Sequence, residues 1–232
     1  MNIIYLLFFG CLPSIIWLIY FLREDIHPEP KREIFLIFLF GMLSAFGAAI
    51  LEIAFQYSFN FISHFWSALL TLIIITPIIE EFLKYFVVRE IVIFNSVVDE
   101  PTDIPIYMIT SAMGFAALEN IFLMVSFISP LKVETLISLS SGRFLTATLL
   151  HALSSGIFGV AISFSFYYFY RKKIYFLFGF LGSILLHSFY DSYIMSVGSL
   201  LGVLIFLFVL LVFLIILFRK LKRLPGICKV KI

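Results

Sequence analysis

The chain has 232 residues, 62% hydrophobic and only 13% charged, with a formal net charge of +2 and a mean hydropathy of +1.13. A soluble domain of this size runs near 45–50% apolar and about 25% charged. The composition therefore excludes a soluble enzyme and implies a multi-pass protein of the cell membrane, embedded in the lipid bilayer. Cys11, in the first apolar run, and Cys228, in the tail, suggest no disulfide framework.

Runs of about 20 apolar residues suffice to cross a bilayer. Seven such runs occur in order, at residues 2–22, 34–55, 67–89, 104–128, 144–169, 174–196 and 198–218. The first lacks a basic leader and is longer than the apolar region of a signal peptide, so no secretory signal is expected. Polar or turn-like connections are expected at Arg23–Glu33, Asn60–Trp66, Asn95–Asp103, Ser129–Arg143 and Tyr170–Lys173, with a very short turn around Gly198. The expectation is an all-α, polytopic transmembrane helical bundle of about seven spanning helices: one domain over residues 1–218, then a basic tail over 219–232.

Lys and Arg mark the cytoplasmic side. With the N-terminus outside, thirteen of the sixteen fall inside, among them Arg171, Lys172, Lys173 and the tail residues from Arg219 to Lys231. Only Lys132 and Arg143 fall outside, and Lys84 lies within a span. The pattern predicts N-out and C-in. The basic tail then meets anionic headgroups, and no nucleic-acid partner is implied.

The informative residues are the ionisable ones inside the apolar runs, because each costs roughly 2.5–3.5 kcal/mol at the centre of a spanning helix. The third run reads Thr76-Pro77-Ile78-Ile79-Glu80-Glu81-Phe82-Leu83-Lys84. On a helix Lys84 lies about 40° from Glu80 and about 60° from Glu81, so one ammonium can serve both carboxylates. Such a pair, its proton affinities split, suits general acid/base chemistry; it could equally be a buried ion pair that pins helices. Pro77 frees a carbonyl and can bend the helix. The fourth run brings Phe115 and, one turn on, Glu119 followed by Asn120. Glu119 can ligate a metal, hold a water, pair with a histidine or make an interhelical hydrogen bond.

The fifth run carries His151 with Ser155 on its face, beside the small residues Ala152, Gly156 and Gly159, which let another helix approach. A lone His here is either a ligand or a structural hydrogen-bonding group. In the sixth run His187 and Asp191 are one turn apart, so the carboxylate can orient the ring. At about 1.5 Å per residue, Glu81, Glu119, His151, His187 and Asp191 fall about 8–21 Å below the outer face and can converge. Glu52, near the outer end of the second run, reads as a rim residue.

Taken together, Glu80-Glu81-x-x-Lys84, Phe115-x-x-x-Glu119-Asn120, His151 and His187-x-x-x-Asp191 resemble the PrsW family of intramembrane proteases. That family lies in a wider superfamily with the CAAX prenyl endopeptidases and Abi proteins. Asp25 and Glu29-Pro30 resemble the family's early signature, and the likeness spans roughly residues 1–195. Lys84, and Glu119 where CAAX-type relatives carry His, favour PrsW. The resemblance implies an endopeptidase that cuts a single-pass, anti-sigma-factor-like protein near its extracytoplasmic boundary. Its implied catalytic residues are Glu80, Glu81, Glu119, His151, His187 and Asp191, with Lys84, Phe115 and Asn120 binding substrate. Two mechanisms are implied. In one, His151, His187 and Glu119 hold Zn²⁺, which lowers the pKa of its water. In the other, Glu81 deprotonates a water held by His151 while His187 stabilises the oxyanion. The absence of a His-Glu-x-x-His pair, which also excludes the site-2 type of protease, favours the metal-free version.

Three other readings use the same residues. Buried Glu, His and Asp also mark proton- or ion-coupled carriers, although no internal repeat or broken helix of the carrier kind is visible. A CAAX-type prenyl-protein endopeptidase and a non-catalytic scaffold are the others.

Overall fold

In hydrocarbon every backbone N–H and C=O must bond within its own segment, so apolar runs of this length fold as helices. A computed structural model describes residues 3–25, 27–58, 69–93, 97–126 and 132–225. Among the described residues there are helices and turns and no strand. The helices are α1 (Ile3–Leu22), α2 (Lys31–Ser58), α3 (Thr76–Val88), α4 (Asp103–Val125), α5 (Val133–Leu145), α6 (Ala147–Tyr167), α7 (Lys172–Ser196) and α8 (Leu200–Leu221). π-helical turns, Thr71–Ile75 and Arg89–Ile93, continue α3 at both ends, and a 3-10 turn, Phe169–Arg171, precedes α7.

Among the described residues six stretches are long and apolar enough to cross a membrane: α1, α2, α4, the nearly continuous α5–α6 (Val133–Tyr167), α7 and α8. The run through α3 is helical from residue 71 to 93 but is interrupted by its own charges. α4 and α5–α6 are mostly buried, whereas α1, α2, α7 and α8 turn most of their surface outward. Those outward faces carry Ile, Leu and Phe, as lipid requires. α4 is the central post, packed against α1, α2 and α6, and α7 closes on α6.

Residues 133–145 depart from the sequence expectation of a polar connection. They form α5, because Leu136 and Ser140, one turn apart, both bury against α1. Leu136 packs with Leu6 and Met124, and the Ser140 hydroxyl donates to the Phe9 carbonyl at 2.8 Å. Thr146, with φ −124° and ψ −98°, breaks the path between α5 and α6.

α2 and α4 cross backbone to backbone. A Cβ on Gly114 would lie 2.0 Å from the Phe38 carbonyl oxygen, and one on Gly41 would lie 2.3 Å from that of Ser111. Gly159, expected to admit a neighbour, faces the Pro105 backbone of α4 in the same way, while Gly156 admits the side chains of Leu214 and Ile109. The expected turn at Gly198 is present, with φ +61°. α8 continues through Leu221, so Arg219 and Lys220 belong to its last turn rather than to a free tail. Cys11 is a free thiol. The expected connection Asn60–Trp66, Cys228 and the end of the tail lie outside the described residues.

Candidate active site

α3 brings the first three residues of the site. Pro77 stands in its first turn, where a missing N–H is tolerated. The turn before it is π-helical, with the Thr76 N–H reaching back to the Thr71 carbonyl. A proline in an apolar helix disturbs the hydrogen-bond ladder there. After it the ladder is regular, and Lys84 stands one turn beyond Glu80 and Glu81, as their spacing predicts. The Lys84 ammonium donates to Glu80 Oε2 at 3.2 Å and to Glu81 Oε1 at 2.9 Å. It lies 2.9 Å from His151 Nδ1 and 4.4 Å from the centre of the Phe115 ring.

α6 and α4 supply the next layer. With Nδ1 accepting from Lys84, His151 donates from Nε2 to Glu119 Oε2 at 2.7 Å, so its partners fix its tautomer. Glu119 Oε1 forms an ion pair with Arg143 Nη2 of α5 at 2.9 Å, without hydrogen-bond alignment. Arg143 Nε donates to Asn120 Oδ1. The Asn120 amide in turn donates to the Gly10 carbonyl and to the Thr148 hydroxyl, both at 3.2 Å. Ser154 and Ser155 donate to the two oxygens of Glu81 at 3.2 and 2.9 Å.

α7 completes the group. His187 Nδ1 comes within 3.4 Å of Glu81 Oε1, while Nε2 is 3.7 Å from Glu80 Oε2 and 3.6 Å from Asp191 Oδ2. The two imidazole rings lie edge to face, with centres 5.0 Å apart. All six residues expected to be catalytic therefore meet in one network drawn from α3, α4, α6 and α7.

A cavity of about 450 Å³ opens beside this network, lined by Glu52, Thr76, Glu80, Phe115, Glu119, His187 and Asp191, with Ala45, Ala48 and Ala49 of α2 facing them. The two adjacent carboxylates divide here. Glu80 reaches the cavity, whereas Glu81 is 0% exposed and its oxygens are taken by Lys84, Ser154 and Ser155. Of the residues expected to bind substrate, Phe115 lines the cavity, but Lys84 and Asn120 are fully buried and bonded to the protein. Glu52, read as a rim residue, is part of the cavity wall.

The comparisons with known proteins point the same way. The profile of a family described as PrsW family intramembrane metalloprotease matches residues 29–218. A protein named Protease PrsW from Geobacillus kaustophilus (strain HTA426) is 31% identical over 183 residues, which is 78% of this chain and 76% of that one. Protease PrsW of Oceanobacillus iheyensis is 27% identical over 117 residues, 50% of this chain and 53% of its own. The chain belongs to the PrsW family. It is an intramembrane protease and a multi-pass membrane protein. No solved structure matches it.

The family description names a metal, and the donor types invite one. Glu80, His151 and His187 place ligand atoms within 4.8 Å of one another, a two-histidine, one-carboxylate set. Among the described residues the carboxylate of that set is Glu80, not Glu119, which is engaged with His151 and Arg143. Yet the Lys84 ammonium lies 2.9 Å from His151 Nδ1 and 3.2 Å from Glu80 Oε2. It uses the lone pairs a metal would need and repels a second cation at that range. As arranged, these residues do not fit a metal beside Lys84.

Sequence reasoning missed four members of this PrsW site. Arg143 lay in what read as a loop. No spacing signal joined Ser154 to Glu81, and the helical spacing that joins Ser155 to His151 said nothing of Glu81. The signal that could have found Glu52 is its spacing from Ala45, Ala48 and Ala49, which places all four on one helical face.

Proposed function

We propose that this PrsW family protease hydrolyses a peptide bond of a single-pass, anti-sigma-factor-like membrane protein near its extracytoplasmic boundary, with Glu80 activating the water and no metal. The observation that carries the reading is where the cavity lies. Its wall includes Glu52 near the end of α2, Leu72 and Thr76 at the start of the α3 run, Phe122 near the end of α4, and Ile194 and Met195 at the end of α7. Those ends share one side of the bundle, and the Lys/Arg pattern, with N-terminus out and C-terminus in, makes that side extracytoplasmic.

Glu80 Oε2 takes a proton from a water between it and His187, and the hydroxide oxygen bonds to the substrate carbonyl carbon. His187 Nε2–H, with Glu81 beside the opposite ring nitrogen to orient the imidazole, donates to the developing oxyanion. As the tetrahedral adduct collapses, Glu80 returns the proton to the leaving nitrogen and the C–N bond breaks, leaving an acid and an amine. Lys84 holds both carboxylates beside His187, and the Arg143–Glu119–His151 chain fixes the wall behind it. Lys84 also supports the metal-free form, because it stands where a cation would be needed.

Wild type and Glu80→Gln, brought to equal abundance, are compared by proteome-wide mapping of new N-termini. Termini at the outer edge of single-pass segments should appear only with wild type, and Glu80→Gln should lower kcat by about 100-fold or more. A Glu80→Gln variant that cleaves at the wild-type rate removes Glu80 from the mechanism.

A further inference from the structure

Glu52 is a half-buried carboxylate that finds no partner among the described residues. It stands on α2 with Ala45, Ala48 and Ala49 on the same face, all four lining the active-site cavity. Among the described residues it makes no hydrogen bond and no ion pair. Nor does it belong to a group of three side chains whose ligand atoms converge on one point, so no metal cluster accounts for it. An ionisable group at membrane depth is expensive unless something compensates it.

The rest of the wall shows what could. Across from Glu52 stand the carboxylates of Glu80, Glu119 and Asp191, with His187 the one basic side chain among the described residues that line the cavity. The Lys84 and Arg143 cations are spent on Glu80, Glu81 and Glu119 behind that wall. The ionisable part of the cavity wall is therefore mainly acidic and disfavours an acidic ligand. The three alanines contribute only methyl groups, leaving an open floor on which an extended main chain can lie. A side chain reaching from that chain towards the end of α2 meets Glu52.

We propose that Glu52 is a specificity-determining residue that binds a Lys or Arg side chain of the substrate, on the side of the scissile bond nearer the end of α2. This assignment rests on the proteolytic reading above and names a substrate class for it: single-pass segments with a basic residue flanking the cut. Glu52 takes no part in the proton transfers, so its removal weakens binding and leaves the chemistry intact.

The test uses purified full-length protease in liposomes with a single-pass substrate that wild type cleaves and Glu80→Gln does not. Each Lys and Arg flanking the scissile bond is replaced in turn by Gln and by Glu. One position should stand out, where the Gln substitution raises KM by about tenfold or more, the usual loss for a charge-assisted hydrogen bond. Glu52→Gln should impose the same rise on the unaltered substrate and no further rise on the altered one, with kcat held. Glu52→Lys should cleave the Glu-bearing substrate better than wild type does, an outcome that a merely structural role for Glu52 cannot produce. Equal KM for Glu52→Gln and wild type on every substrate, or a loss that ignores substrate charge, overturns the assignment while leaving the protease intact. A wild type that cleaves no single-pass substrate overturns the proposed function above and this assignment with it.

Discussion

An ammonium buried among two carboxylates, an imidazole and an aromatic face is stable only while its partners remain. Lys84 is 0% exposed, and so is Glu81, so neither can turn to water if the other is lost. Removing one partner of a buried pair costs about 3–5 kcal/mol, while replacing both with apolar groups can be nearly neutral. Lys84→Met should therefore lower stability in detergent by about 3–5 kcal/mol, and adding Glu81→Leu should recover part of the loss. Thermal unfolding followed by circular dichroism reads both; a Lys84→Met protein as stable as wild type would show the pair to be solvated. The contacts of Lys84 with Glu80 and Glu81 were legible in the sequence, because residues three and four apart share a helix face. Its contact with His151 and the serine bonds to Glu81 were not, since spacing along one helix does not say which face of another it meets.

At the scale of the elements, the site depends on how closely α2 crosses α4. The wall residues Ala45 to Glu52 lie just beyond Gly41, whose neighbour across the crossing is the Ser111 backbone. Gly114→Ala places a methyl against the Phe38 carbonyl, and neither backbone can yield without moving α2. Overpacking of this kind costs about 1–3 kcal/mol. The cavity should widen with it, so substrate cleavage falls together with the melting temperature. Gly47→Ala is the control: nothing lies within 4 Å of the added Cβ, and the change should be neutral or slightly stabilising. Equal behaviour of the two variants would mean the crossing does not position the site. Element existence was largely legible from hydropathy, and α5 shows where that failed. Its Glu134, Arg143 and serines lower the hydropathy, while the signal that folds it, Leu136 and Ser140 one turn apart, needs α1 as a partner to make sense.

Across the whole molecule the active site occupies one end of the bundle and a second ionisable group ties together the other. There Asp25 accepts the backbone N–H groups of His27 and Glu29, and Asp103 accepts those of Asp99 and Glu100. Tyr107 of α4 donates to Glu29, and His27 pairs with Glu100. The α1–α2 connection is thus fastened to the start of α4, the post on which the site is built. Burial is the largest influence on Glu29, pushing its carboxyl from the usual 4.5 up to about 9, with the charges of Asp103 and Asp25 adding to the rise and the Tyr107 bond opposing it. Burial also raises Asp25. Between those two pH values the folded chain holds a proton on Glu29 that the unfolded chain has released. Stability then falls as pH rises, because the folded state binds more protons. The contribution is complete below about pH 4.5 and is lost as pH passes through about 9. The melting temperature of the detergent-solubilised protein should fall across that window, and Glu29→Gln, which carries no proton to lose, should make the fall shallower. Because Asp25 titrates in the same direction, the quantity to compare is the difference between the two proteins at each pH. A difference that stays constant from pH 5 to pH 9 would show that Glu29 is already ionised and that the fastening does not depend on its proton.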